Sequence, residues 1–174
     1  HLNEYSRHKI LKILTKKQIK TLIDEMDSDD LTDFIKYFPE YKLQSILDIL
    51  PHNALSEIKE LLRYDPETAG GLMQTELVAL PQKLTPGQAI QAVRQVKDEV
   101  ENIHNIYIVT PENKLLGSLN LDQLIFAGPH DTLGDIMDSH PLNVKLNIDQ
   151  EQIAQIFREH DIVSLPVVDE NKQL

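Results

Sequence analysis

The run Ile106-Tyr107-Ile108-Val109-Thr110-Pro111-Glu112-Asn113-Lys114-Leu115-Leu116-Gly117-Ser118-Leu119 decides the architecture of the C-terminal part of this chain. Two apolar stretches, Ile106 to Val109 and Leu115 to Leu119, flank Pro111-Glu112-Asn113-Lys114, whose turn-forming residues predict a β-hairpin. Upstream, Leu77 to Leu80 reads as a short strand. Thr85-Pro86 with Gln88 then opens a helix that carries Ala89, Ile90, Val93 and Val96 on one side. The unit is β-α-β-β.

The same grammar returns further along. Met137 is followed by an expected strand from Asn143 to Leu146, a helix beginning at Asp149, a strand from Ser164 to Val168 and the turn Asp169-Glu170-Asn171-Lys172. The recurrence is roughly 60 residues apart, which marks a duplication. Two such units can cover each other's sheets where one alone would leave its sheet in water. The second copy reaches Leu174 before its last strand is complete.

From Leu2 to about Arg63 the periodicity is helical instead: Leu31, Phe34, Ile35 and Phe38, then Leu43, Ile46, Leu47 and Leu50. Thr15 and Gln18 form a capping-box pattern before Ile19 and Leu22. Pro39 follows one helix, and Asn53 is expected to cap the next. Short amphipathic helices with short connections suit the end of a helical solenoid better than a closed bundle, so the chain is expected to begin inside a larger helical domain. The fold class is therefore α + α/β, a short superhelical segment followed by a tandem β-α-β-β pair.

Composition narrows the function. With 41% hydrophobic and 26% charged residues, the 174-residue chain matches a globular protein of two small units. Its apolar runs are strand-sized, far below the roughly 18 residues needed to cross a bilayer, and its first residues lack the pattern of a secretory signal. The absence of cysteine excludes a disulfide framework and a thiolate metal site. A net charge of −11 repels phosphate backbones and anionic headgroups, which argues against nucleic acid as a partner and makes cations the natural counterpart.

Position sharpens that charge. Asp29 and Asp33 lie four residues apart, so on a helix both carboxylates project from one face and can share a hydrated dication, with Asp30 beside them. Carboxylates without histidine or cysteine suit magnesium or calcium better than zinc. The plain alternative is that acidic residues in a first turn offset the helix dipole, with Asp27 or Ser28 as the cap. Asp149 and Glu151 begin a later helix and admit the same two readings. Asp161 follows a helix end near Arg158 to His160, where a negative side chain faces exposed carbonyls and calls for a balancing cation or hydrogen-bond donor.

The tandem unit, with its glycine-containing strand Leu116-Gly117-Ser118-Leu119-Asn120, resembles the CBS pair, a regulatory module that commonly binds adenine nucleotides or metal ions. The junction Tyr64-Asp65-Pro66-Glu67-Thr68-Ala69-Gly70-Gly71-Leu72-Met73, together with Met26-Asp27-Ser28-Asp29-Asp30-Leu31-Thr32-Asp33, resembles the MgtE magnesium transporters. That resemblance implies a helical N-terminal domain over 1–64, a linker and first CBS module over 65–136, and a second module over 137–174. It also implies a homodimer built through the CBS modules, standing at the cytoplasmic face of the membrane and joined to a pore. Regulatory Mg2+ would be held by Asp29, Asp30, Asp33, Asp149, Glu151 and Asp161, and further ligands would lie past Leu174.

Two rival functions follow from the same residues. CBS pairs that hold ATP use a hydroxyl and a carboxylate after the glycine strand; here Asn120 and Gln123 stand at those positions, with Asp122 adjacent, so a ribose would lose its charged acceptor. A metal-independent scaffold would use the helical repeat for protein contacts. Catalysis is not expected: His104, His130, His140 and His160 follow no ligand spacing, and no serine sits in a nucleophile-elbow sequence. Gly70-Gly71 lacks the context of a phosphate loop and reads as a flexible helix exit.

Overall fold

Thr15 and Gln18 cap each other in the computed structural model of the chain, which describes residues 13–50, 52–97, 100 and 103–174. Gln18 N–H donates to Thr15 Oγ1 at 3.3 Å and Thr15 N–H donates to Gln18 Oε1 at 3.0 Å, which starts helix α1, Lys16–Ile23. Three helices follow: α2 (Ser28–Lys36), α3 (Glu40–Leu47) and α4 (His52–Leu61). The chain divides between Asp65 and Pro66 into a helical unit and a mixed unit.

In the helical unit most residues that set the period are buried: Ile19 and Ile23, then Leu31, Ile35 and Phe38, then Ile46, Leu47 and Leu50, then Ile58 and Leu61, whereas Phe34 and Leu43 are half-buried and Leu22 is exposed. Ile35 and Ile58 are the most completely buried of these, each worth roughly 1.5–3 kcal/mol relative to exposure. Phe34 and Phe38 meet edge to face, with ring centroids 5.0 Å apart. The expected role of Asn53 is corrected: helix α4 begins at His52, so Asn53 lies in its first turn, and a cap requires the extended backbone of a residue outside the helix.

The mixed unit contains α5 (Ala69–Leu72), β1 (Ala79–Pro81), α6 (Pro86–Gln95), β2 (Asn105–Val109), β3 (Leu115–Asn120), α7 (Leu121–Phe126), α8 (Leu133–Ile136), β4 (Val144–Lys145), α9 (Gln150–His160) and β5 (Val167–Val168). Strand β2 is central in its sheet, parallel to β1 (Leu80 beside Ile108) and antiparallel to β3 (Ile106 beside Leu119). Strands β4 and β5 pair in parallel, Val144 beside Val167. Val78, Leu80, Ala89, Ile106, Ile108, Leu119, Leu124 and Leu133 form one buried cluster.

Strand bounds differ from the expected ones for a traceable reason. The second module's first strand stops at Lys145 because the Leu146 and Ile148 carbonyls turn away and accept N–H groups from α5: Gly70 to Leu146 and Ala69 to Ile148, both at 2.8 Å. Gly70-Gly71 is thus part of a docked helical turn and not a flexible exit. The other module mirrors this arrangement. Leu133 N–H of α8 donates to Leu84 O at 2.8 Å and Gly134 N–H to Gln82 O at 2.9 Å. The two docking segments are sequence repeats, Thr68-Ala69-Gly70-Gly71-Leu72-Met73 and Thr132-Leu133-Gly134-Asp135-Ile136-Met137. Each copy opens by strapping itself onto the other.

The hairpin turns repeat as well. Thr110 N–H donates to Lys114 O and Asp169 N–H to Gln173 O, both at 2.9 Å, and the third turn residue has positive φ in each, 61° at Asn113 and 63° at Lys172. The turns then pair with each other: Leu115 N–H reaches Lys172 O at 2.9 Å, and Leu174 N–H reaches Asn113 O at 3.0 Å. Glycine at 117 is imposed by packing between modules, because a Cβ there would stand 2.6 Å from the Asp138 carbonyl oxygen and 2.5 Å from Met137 Sδ.

Candidate functional site

The acidic positions fall into two groups, one in each unit. In the helical unit, Asp27 occupies the extended N-cap position of α2, Asp29 and Asp30 lie in its first turn, and Asp33 follows one turn on. The opposite face is the packed one: Leu31 and Ile35 are buried, and buried Thr32 Oγ1 donates to Ser28 O at 2.7 Å. Asp29 is half-buried, while Asp30 and Asp33 are exposed. Asp33 already has a cation, Lys36 Nζ at 3.0 Å.

In the mixed unit, Asp149 is the N-cap of α9, and its Oδ1 accepts the Glu151 N–H at 2.8 Å. The Glu151 carboxyl is pushed above its ordinary range, first by a hydrogen bond with the Asp149 side chain, then by repulsion from Asp149, by desolvation and by repulsion from Glu67. Glu67 arrives there through its backbone, whose carbonyl accepts the Gln150 N–H at 2.9 Å, while Thr68 bridges Asp149. Sequence reasoning missed Glu67 as a member of this group. The repeat of Thr68–Met73 at Thr132–Met137 marks the two segments as equivalent, but the docking that brings Glu67 to the start of α9 is seen only in the structure.

Asp161 stands apart from these. It ends α9 with left-handed backbone, φ 49° and ψ 44°, a conformation that aspartate enters more readily than most side chains. That geometry suits an aspartate with or without a cation, and Arg158 in the last turn supplies positive charge that the helix end favours. Among the described residues no three His, Asp or Glu side chains converge tightly enough to hold a metal ion. The donor chemistry nevertheless fits one class of ion: every candidate offers carboxylate oxygen, the donor hard dications prefer.

The nucleotide candidates have local work. Gln123 Oε1 accepts the Asn120 N–H at 2.9 Å, which caps α7, and Asp122 is an exposed first-turn acid. Between the modules, Asn105 Nδ2 donates to Ser164 Oγ at 2.6 Å, and Tyr107 Oη lies 3.5 Å from the same oxygen. Burial pushes the Tyr107 hydroxyl above its ordinary range, with the contacts to Ser164 and Asn105 opposing.

A duplicated β-α-β-β pair, each copy opened by a short helix docked on the other and the whole preceded in sequence by a helical unit, defines a CBS-type pair. Comparison with known proteins agrees: residues 1–67 match the family described as MgtE intracellular N domain, and residues 133–174 match the CBS domain. The magnesium transporter MgtE of Thermus thermophilus is 35% identical over 150 residues, covering 84% of this chain and 33% of the transporter. The cytosolic domain of the Mg2+ channel MgtE in complex with ATP superposes with a TM-score of 0.94 at 32% identity, covering all of this chain and 71% of that one. The soluble part of a magnesium transporter gives 0.91 at 29% identity, covering 98% of this chain and 66% of that one. The chain belongs to the MgtE family and corresponds to its cytosolic region. It spans about a third of the length of the curated relative, and among the described residues no helix is long and apolar enough to cross a membrane.

Proposed function

We propose that this chain is the magnesium-sensing regulatory part of a magnesium transporter or channel, acting at the cytoplasmic face of the membrane on a pore elsewhere in the full-length protein. The observation that carries the reading is the crowding of Asp149, Glu151 and Glu67 at the start of α9, where a hydrogen bond with the Asp149 side chain, and after it repulsion from Asp149 and Glu67, hold the Glu151 carboxyl above its usual range. A hard dication relieves that repulsion and keeps most of its water while doing so.

In this reading Mg2+ draws the carboxylates of the CBS pair, Asp149, Glu151 and Asp161, together with those of the helical unit, Asp29, Asp30 and Asp33. Magnesium then selects a compact state and its loss releases it, because a ligand shifts an equilibrium by its differential affinity for the two states. The role is regulatory rather than catalytic, and the working form is a homodimer through the CBS modules. Titration with MgCl2, read by calorimetry and by protection from protease, tests the assignment. Asp29→Ala, Asp33→Ala and Asp161→Ala should each weaken protection, and protection that survives all three unchanged would overturn it.

A second reading, an adenine-nucleotide sensor, is favoured by one observation: a structure similar over the whole chain is that of an MgtE cytosolic domain in complex with ATP. Against it, Asn120 and Gln123 are tied to each other at the start of α7. ATP titration in the absence of metal separates the readings, since tight metal-independent binding promotes the second.

A further inference from the structure

We propose that the strap Glu67–Met73 and the loop that opens α9, Leu146–Glu151, open and close as one unit. Module 2 would then hold the joint to the helical unit, although the strap precedes module 1 in sequence. Backbone connectivity carries this. Ala69 N–H to Ile148 O, Gly70 N–H to Leu146 O and Gln150 N–H to Glu67 O form a continuous set of bonds of 2.8–2.9 Å, and the Thr68–Asp149 bridge lies among them. On the other side of the joint, Leu62, Arg63 and Tyr64 N–H groups bond back to Ile58, Glu60 and Leu61 of α4. Asp65 and Pro66 alone separate the last of those bonds from the first residue of the strap.

The side chain of Asp149 couples the two halves of this unit. It caps α9 through the Glu151 N–H at 2.8 Å, while its backbone bridges Thr68. Any ligand that reorders this loop acts on the strap's anchor, and from there on the two residues that join the helical unit. The route of coupling is the same whichever ion or nucleotide drives it.

Hydrogen exchange of the whole chain, followed residue by residue without added ligand, tests it. Asp149→Ala removes a cap worth about 1 kcal/mol, a factor of roughly five in local opening. The strap amides of Ala69 and Gly70 should exchange faster by that factor together with Glu151, while the Leu133 and Gly134 amides on module 1 keep their wild-type rates. Asp149→Asn keeps a capping oxygen and should restore slow exchange at both strap amides. Wild-type rates at Ala69 and Gly70 alongside faster exchange at Glu151 would overturn the inference, as would equal acceleration at Leu133 and Gly134. Because no magnesium is present, failure of the sensing assignment leaves these outcomes unaffected.

Discussion

Glu151 donates its backbone N–H to the carboxylate of Asp149 at 2.8 Å while its own carboxyl is held up in pKa by that same residue. One aspartate therefore stabilises the helix start and destabilises the charge next to it. A carboxyl raised above its ordinary 4.5 binds more protons folded than unfolded, so its contribution opposes folding at neutral pH and is relieved as pH falls through the raised value. Glu151→Gln should raise Tm at pH 7, leave Tm unchanged at pH 3, and weaken the magnesium response. Thermal unfolding at the two pH values checks the first two, and MgCl2 titration the third.

Asp135 and Asp169 behave in the opposite sense. Thr132 donates its hydroxyl at 2.6 Å and its N–H at 2.9 Å to Asp135. Asp169 Oδ1 accepts the N–H groups of Asn171 and Gln173, both at 2.8 Å. Both carboxyls are held below the ordinary 3.8, for Asp135 chiefly by the Thr132 hydroxyl and for Asp169 chiefly by the Gln173 N–H. Their contribution is present above about pH 3.8 and is lost as pH falls below it. Asp135→Asn retains an accepting oxygen without the charge, so it should flatten the acid limb of a stability–pH curve between pH 4 and pH 2.

Gly117→Ala should destabilise the mixed unit by about 1–3 kcal/mol, the usual cost of forcing atoms into a filled contact. Trimming Met137 to alanine in the same chain should recover only part of this, because the Asp138 carbonyl, 2.6 Å from the added carbon, is backbone and cannot withdraw. Urea unfolding of the single and double variants measures both.

Lys172→Gly should stabilise the chain by up to about 1 kcal/mol, since the position has φ 63° and a lysine gains nothing from left-handed backbone. The equivalent change at Asn113 should gain less, because asparagine tolerates that region and its Nδ2 donates to Leu174 O at 2.8 Å. Midpoints of thermal unfolding rank the two.

Lys36 competes for the carboxylate of Asp33, an exposed pair worth roughly 0.2–1 kcal/mol. If Asp33 helps hold magnesium, Lys36→Met should tighten the calorimetric Kd up to about fivefold. An unchanged Kd would remove Asp33 from the ligand set.

Much of the fold was legible because period and punctuation agree locally. The capping boxes at Thr15 and Thr85 and the hairpin at Pro111 to Lys114 each announce one element within a few residues. The short strands were overdrawn because Leu146 looks like a strand residue but gives its carbonyl to Gly70, a partner far away in sequence. Glu67 was overlooked for the same reason: its place beside Asp149 depends on long-range docking, which composition and period do not encode. At Asp161 the electrostatic argument from sequence leaves out backbone conformation: the left-handed turn is a second reason for an aspartate at the helix end, beside any ion it helps to hold. The magnesium assignment still rests on charge crowding and family membership.

The two hairpin turns, Thr110–Lys114 and Asp169–Gln173, are fastened to each other through Leu115 and Leu174. Neither loop can then lengthen by a residue without throwing the other out of step. Insertions and deletions among related chains should therefore avoid both turns or strike them in matched pairs, and a grafted tag or reporter would be better placed almost anywhere else on the surface.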